Sequence, residues 1–370
     1  MTVATECLNL SSALGTVVAC QANYYQVRLL MENCGPLHFL CTRRARLKKL
    51  GQQVVVGDRV VIEEMDWQDR RGAIATVQPR TNLLDRPPIS NVDQILLVFA
   101  LAEPELEPIQ LSRFLVKAES TGIPVTLCLN KQDLLSDAAR KQWRTRLIGW
   151  GYEPLLVSIL EDETLPTALL TALQQRVSVV AGPSGVGKSS LLNRLVPNVD
   201  ARTNKVSGKL GRGRHTTRHV ELFELPTGGL LADTPGFNQP DVTCSVDTLM
   251  RCFPEIRRRA GDCQFSDCLH RDEPGCSVRG DWERYEYYLS LLDEVLRHQQ
   301  QLEHRPDTET TEKVKMGSDG QRQHEPKLEA KKYRRTSRRR RHQDLQDLCY
   351  DVMDRSMDEL DDAVLEEYGL

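Results

Sequence analysis

The stretch VSVVAGPSGVGKSSLLNRL, Val177 to Leu195, carries the reading on which the fold turns. Its centre, Gly182-Pro183-Ser184-Gly185-Val186-Gly187-Lys188-Ser189, satisfies G-x-x-x-x-G-K-[ST] in full. The apolar run Val177–Ala181 before it reads as a strand, and Ser190 to Leu195 after it opens a helix. In that setting the glycines let backbone N–H groups close around phosphates at a helix N-terminus. Lys188 is then expected to reach the β/γ-phosphates and Ser189 to hold Mg²⁺, with Ser190 next in the same turn.

Working outward, further apolar runs (Ile95–Ala100, Val125–Leu129, Leu155–Ser158, Leu230–Ala232) alternate with helical stretches such as Ile109–Thr121 and Ser136–Trp150. Strands apolar on both faces belong to a sheet covered on both sides, so residues 81–245 read as an α/β domain. The P-loop alone does not choose a base. Asn130-Lys131-Gln132-Asp133, directly after a buried strand, favours guanine: the Asp133 carboxylate accepts from N1–H and N2–H₂, donors that adenine lacks. Asn130 suits the Hoogsteen edge, and the Lys131 stem can cover the ring.

Asp233-Thr234-Pro235-Gly236 follows the strand Leu230–Ala232, placing Asp233 to hold Mg²⁺ through water and the Gly236 N–H to sense a γ-phosphate. Between the two phosphate motifs lies a glycine-rich basic loop, Gly211-Arg212-Gly213-Arg214-His215-Thr216-Thr217. Thr217 is the first choice for the Mg²⁺-recruited hydroxyl and Thr216 the second. Phe237 stands where many such enzymes orient the attacking water with glutamine. His215 is the nearest polar candidate for that task; the alternatives are a solvated or RNA-facing His215, or a partner that completes the site.

These parts form a GTPase set in an unusual chain order, with N-K-x-D first and D-x-x-G last, which a circularly permuted sheet accommodates. With these motifs, Asn91-Val92-Asp93-Gln94 and the Cys/His cluster described below, the sequence resembles the RsgA (YjeQ) family of circularly permuted GTPases over roughly residues 10–300. The resemblance implies an N-terminal OB-fold, a permuted GTPase domain and a C-terminal zinc subdomain. It also implies GTP hydrolysis coupled to late maturation of the 30S ribosomal subunit, with 16S rRNA and GTP/GDP as partners. His215 is the water-orienting histidine that the family points to, and Ser158-Ile159 stands where the family has a Ser-Ala loop against the guanine.

Residues 1–80 read as all-β. Short alternating runs at Gly15–Cys20, Tyr25–Met31, Leu37–Cys41, Asp58–Glu63 and Gly72–Gln78 suit a small closed or sandwich-like fold, an OB barrel among them, with RNA binding or a purely structural module as its roles. Within 246–300, Cys263, Cys268, His270 and Cys276 offer three thiols and an imidazole between tight turns at Gly261 and Pro274-Gly275. That is a closed tetrahedral donor set for one structural zinc ion. The other eight of the eleven cysteines are scattered, which reads as buried hydrophobes and not as a disulfide framework.

The net charge of −3 averages opposed segments. Residues 1–300 hold 35 basic and 35 acidic side chains, 301–343 carry +6, and the last 27 residues hold ten acids and one base. Residues 301–370 therefore read as a low-complexity, disordered basic/acidic tail. Basic clusters at Arg43–Lys49 in a barrel loop, at Arg257–Arg259 and around the threonine loop (Lys205, Lys209, Arg212, Arg214, Arg218) are candidate RNA phosphate contacts or merely solvated faces. No apolar run approaches the ~18 residues of a membrane span, and no basic residue precedes the first apolar stretch as in a secretory leader. A cytoplasmic monomer without membrane contact is expected. Two other functions remain: a GTP-gated RNA-binding placeholder with incidental hydrolysis, and a permuted GTPase of large-subunit assembly.

Overall fold

The computed structural model describes residues 11–29, 36–85, 87–161, 164–196, 220–233, 241–303, 312–316 and 322–326. Alternation of inward apolar residues builds the first element group. Strands β1 (Ser12–Gln21), β2 (Tyr24–Leu29), β3 (His38–Arg43), β4 (Arg59–Asp66) and β5 (Arg71–Val77) close into a barrel in the order β1-β2-β3-β5-β4. The pairs are antiparallel except β3 with β5. Val17, Val27, Phe39, Cys41, Val60, Ile62 and Ile74 fill its interior. Between β3 and β4 the chain forms a short helix, α1 (Ala45–Lys49), where the sequence suggested a loop. Leu47 is the reason: buried in the barrel core, it gives the segment an apolar face to seat. Two of the basic residues there serve the barrel itself. Arg44 pairs with Glu63 and Glu64 at 2.7 and 2.6 Å, and Arg43 donates to the Gln52 carbonyl at 2.8 Å.

A ribbon of β6 (Leu83–Asp85) and β7 (Pro88–Ser90) leads into the α/β domain. There follow β8 (Gln94–Ala100), α2 (Pro108–Glu119), β9 (Val125–Asn130), α3 (Asp137–Trp150), β10 (Leu155–Leu156), α4 (Thr167–Leu173), β11 (Val177–Ala181), α5 (Lys188–Leu195), β12 (Leu222–Glu224) and β13 (Leu230–Asp233). The sheet order is β10-β9-β8-β11-β13-β12, all neighbours parallel except β12 with β13. Every residue of β8 is buried, because helices cover both faces. Leu97 and Phe99 face one core with Phe114 and Leu115; Leu96 and Val98 face the other with Leu191 and Leu195. Local signals end the helices as expected: Ser136 Oγ caps α3 by accepting from Ala139 N, and Gly151 stops it at φ 98°.

The barrel is fastened to the β6–β7 ribbon and to the edge of the α/β sheet. Asp58, fully buried, accepts from Arg80 Nε at 2.7 Å, Arg80 Nη2 at 2.9 Å and Ser90 Oγ at 2.7 Å. Gly57 at φ 89° admits this approach, since a Cβ there would stand 2.0 Å from the Ser90 carbonyl oxygen. At the sheet edge, Arg28 and His38 meet Glu224 of β12 at 3.1 and 2.7 Å, which covers an otherwise open strand.

Helices α6 (Val246–Arg251), α7 (Pro254–Arg259) and α8 (Tyr285–Glu303) enclose a fourth core with Phe253, Ile256, Trp282, Tyr288 and Leu292, to which Val116 of α2 contributes. Arg284, fully buried, makes a bidentate pair with Glu255 at 2.9 and 2.8 Å, its guanidinium 4.6 Å from the Phe253 ring and 5.0 Å from that of Trp150. The second compact unit, residues 304–370, contains an antiparallel ribbon of β14 (Glu312–Met316) and β15 (Arg322–Pro326). Pairing over those ten residues satisfies backbone groups without needing a core, although a lone ribbon is marginal in water. The basic block Lys327 to His342 and the acidic end lie outside the described residues.

Candidate functional site

Parallel pairing brings the C-terminal ends of β9, β11 and β13 to one edge of the sheet, the edge at which ligands of open α/β folds bind. β11 delivers Gly182 to Gly187 there and α5 begins at Lys188. The turn needs glycine at three points: Gly182, Gly185 and Gly187 have φ 137°, 82° and 100°. A Cβ on Gly182 would stand 2.1 Å from the Val98 carbonyl oxygen, and one on Gly187 2.4 Å from Asn130 Nδ2. Val186 is buried as the loop's anchor, while Ser184, Gly185 and Ser189 face solvent. Lys188 Nζ donates to the carbonyls of Gly182 and Pro183 at 2.9 and 2.5 Å, so the ammonium lies across the mouth of the loop where an anion is recognised. The strand itself is pinned at its start, Val177 N donating to the Asp93 carboxylate at 2.8 Å.

Asn130 does more than its motif suggests. Only 3% exposed, it donates from Nδ2 to the Val186 carbonyl at 2.8 Å and accepts at Oδ1 from Ile159 N at 3.0 Å. It therefore joins the phosphate loop to the segment after β10. Lys131 adopts a left-handed conformation, φ 60°, and its ammonium donates to the Glu103 carbonyl. Gln132 N donates to the Val157 carbonyl at 3.2 Å. Asp133 N donates to Ser158 Oγ at 3.2 Å, which leaves the Asp133 carboxylate exposed at the sheet edge. Ile159 is 1% exposed and its carbonyl accepts from Arg194 of α5. The structure thus brings Asn130, Gln132, Asp133, Ser158 and Lys188 together with the P-loop.

Asp233 closes β13, its backbone in register with Val180. His215, Thr216, Thr217, Gly236 and Phe237 lie outside the described residues, as do Lys205, Lys209, Arg212, Arg214 and Arg218.

In the segment between α7 and α8, the donor atoms of Cys263, Cys268, His270 and Cys276 all lie within 4.8 Å of one another. His270 Nδ1 stands 3.6 Å from Cys263 Sγ and 3.5 Å from Cys276 Sγ, and those two sulfurs are 4.0 Å apart. A tetrahedral ion with metal–sulfur bonds of about 2.3 Å and a metal–nitrogen bond of about 2.0–2.1 Å requires donor–donor edges of roughly 3.5–3.8 Å. The cluster fits one metal ion with no position left for substrate. Burial lowers the His270 pKa, partly offset by Glu273, which favours the neutral imidazole over the charged form.

Several supporting residues escaped the sequence. Glu273 accepts from the backbone N–H groups of Leu269, Arg271 and Asp272 at 2.9, 2.8 and 3.1 Å, folding the ligand loop about one carboxylate. Burial pushes its pKa up, but those backbone donors outweigh burial and hold it below its ordinary value. Tyr288 and Tyr285 donate to the carbonyls of Leu269 and His270 at 2.6 and 2.9 Å, tying the loop to α8. None of these has a motif; each is visible only once α8 lies against the loop.

A P-loop at the centre of a largely parallel sheet, an N-K-x-D segment at a nearby strand end and a permuted motif order define a circularly permuted GTPase, an enzyme that hydrolyses GTP. The family model described as RsgA GTPase matches residues 77–243. The chain belongs to that family, as its relatives establish. The small ribosomal subunit biogenesis GTPase RsgA of Trichormus variabilis is 58% identical, over 90% of this chain and 96% of the relative. The mitochondrial small ribosomal subunit biogenesis GTPase RsgA 1 of Arabidopsis thaliana is 43% identical, over 89% and 85%. Among solved structures, the circularly permuted GTPase YloQ superimposes with a TM-score of 0.66 at 32% identity, covering 77% of this chain and 96% of its own. No described helix is long and apolar enough to cross a membrane.

Proposed function

We propose that this chain hydrolyses GTP during assembly of the small ribosomal subunit, binding the 30S particle through 16S rRNA as a cytoplasmic monomer. The observation that carries the reading is the convergence of Asn130, Asp133, Ser158 and the P-loop on one sheet edge in a chain whose relatives bear that activity in their names. In this reading Asp133 selects guanine and the second amide hydrogen of Asn130 meets its Hoogsteen edge. Lys131 covers the ring, and residues Gly182 to Ser190 with Gly236 enclose the phosphates. Ser189, Thr217 and Asp233 hold Mg²⁺, and His215 orients the attacking water. The Cys₃His centre takes zinc, whose preference for thiolate and imidazole in a closed tetrahedron matches the donor set. Residues 1–80 are the OB-fold RNA-binding domain, 81–245 the GTPase domain, 246–300 the zinc subdomain and 301–370 the tail.

Arg258 and Arg259, exposed in the last turn of α7, are candidate phosphate contacts, as are the exposed Arg46 and Lys49, whereas Arg43 and Arg44 already hold barrel partners. Single-turnover hydrolysis with separated 30S and 50S particles tests the reading. The 30S particle is expected to raise the rate and the 50S particle to leave it unchanged; stimulation by neither, or by 50S alone, refutes it. His215→Ala is expected to lower that rate by about 10²-fold with little change in GTP affinity. Phe237 in the glutamine position supports a second reading, a GTP-gated RNA binder with incidental hydrolysis, which predicts equal rates with and without 30S.

A further inference from the structure

The segment after β10 sets the floor of the base site yet has little backbone pairing of its own. β10 contributes only Leu155 and Leu156 to the sheet, and Val157 adds two bonds, its N–H to the Leu129 carbonyl at 2.9 Å and its carbonyl from Gln132 N at 3.2 Å. Beyond Val157 the described bonds that hold the segment run through side chains. Ser158 Oγ accepts from Asp133 N at 3.2 Å, the Ile159 N–H donates to Asn130 Oδ1 at 3.0 Å, and the Ile159 carbonyl accepts from the Arg194 guanidinium. The Ile159 side chain is buried against the core that includes Val186 and Leu191, so its peptide is fixed on three sides. Leu160, the next residue, is 76% exposed.

Arg194 lies on α5, the helix that starts with Lys188 and Ser189, and six residues beyond Lys188. One helix thus carries the phosphate-facing lysine at its first position and a clamp on the base-side segment near its last. A guanidinium donating to a part-buried carbonyl is a charge-assisted bond, stronger than a neutral one.

We propose that Arg194 is a positioning residue for base selection: by holding the Ile159 carbonyl it fixes Ser158, and through Ser158 the Asp133 backbone, so that the Asp133 carboxylate meets both guanine donors at once. The proposal rests on Asn130–Asp133 being the base site. Guanine offers N1–H and N2–H₂ to that carboxylate, whereas hypoxanthine offers N1–H alone. A loosened segment therefore weakens guanine more than hypoxanthine, because the two-donor geometry tolerates less displacement than one bond.

Equilibrium titration of the full chain with GDP, inosine diphosphate and xanthosine diphosphate tests this in four variants. Arg194→Ala is expected to raise the GDP Kd about tenfold and the inosine diphosphate Kd about twofold, so the discrimination ratio falls about fivefold. Arg194→Lys, which keeps the charge and a donor, is expected to restore the ratio to within about twofold of the parent. Arg194→Gln, a shorter and neutral donor, gives the intermediate reading and replaces the alanine variant if that chain does not fold. Equal weakening of both nucleotides, or an unchanged ratio, overturns the proposal, because a merely structural arginine moves both alike. Asp133→Asn is the separate check on the base site: a swing of preference from GDP to xanthosine diphosphate upholds it. No swing removes that reading, and the proposal with it, whatever Arg194 does.

Discussion

At the nucleotide edge, Asn130, Ser158 and Lys188 arrive from three strand ends spread over 59 residues of chain; at the Cys/His centre, four donors come from fourteen consecutive residues. The first set is placed by sheet register and by cores on both faces, with β8 wholly buried beneath it. The second is placed by turns, by Glu273 gathering three N–H groups and by two tyrosines from α8. A site assembled from distant strand ends keeps its shape through the fold. A site assembled from one loop has only its local turns and the packing of one helix to keep its shape, and its donor set fits one metal ion.

Metal removal breaks this comparison most sharply. Structural zinc sites of this donor type supply about 10–16 kcal/mol of binding free energy to folding. Chelation, or Cys276→Ser, is therefore expected to unfold residues 246–300, seen as proteolysis around α7 and loss of bound metal. GDP affinity should stay within about threefold of the parent, as expected for sites carried by separate cores. Equal loss of nucleotide binding would mean that the two sites share one scaffold.

The next effect lies at the joint between them. Arg284→Ala leaves Glu255 as an uncompensated buried charge, a change that costs about 3–5 kcal/mol. Denaturant unfolding followed by tryptophan emission should show the α7–α8 region melting first, because Trp282 and Trp150 both lie against that pair or its packing. Lys188→Ala probes the other side. Loss of one ammonium–phosphate contact, about 2–3 kcal/mol, should raise the GDP Kd by roughly 100-fold while metal content and the unfolding of α8 stay as they were.

Glu273 gives the smallest and most specific effect. Its carboxyl is held below its ordinary value of 4.5, so its contribution is present above that pH and is lost as pH falls through the lower, folded value. Acid unfolding of the parent chain should therefore begin in the ligand loop, and Glu273→Gln should already show at neutral pH the looser loop that the parent reaches only in acid. Hydrogen exchange at Leu269, Arg271 and Asp272, the three donors, reads it directly.

How much of this was legible in the chain depends on how local each feature is. The P-loop, N-K-x-D and the Cys/His cluster are contiguous, and the buried strands that frame the first two declare themselves by composition. The stretch Arg43–Lys49 misled, because one buried residue, Leu47, decides between loop and helix and its burial depends on a barrel closed by β4 pairing with β1. Arg194 and Arg284 carried no signal at all. Their partners, Ile159 and Glu255, stand 35 and 29 residues away, and an arginine with a part-buried or buried partner looks in sequence like any surface arginine.

By itself the sequence determined which chemistries this chain can perform. Phosphate, guanine and metal recognition each need particular atoms at short spacing, and short spacing survives without a fold. The tertiary structure decided how those atoms are held: that Asn130 joins the phosphate loop to the Ser158–Ile159 segment, that α5 reaches both, and that a buried Arg–Glu pair seats the Cys/His lobe on α3. Those assignments depend on strand order and helix packing. Both are settled by the burial of whole faces, and no local pattern encodes them.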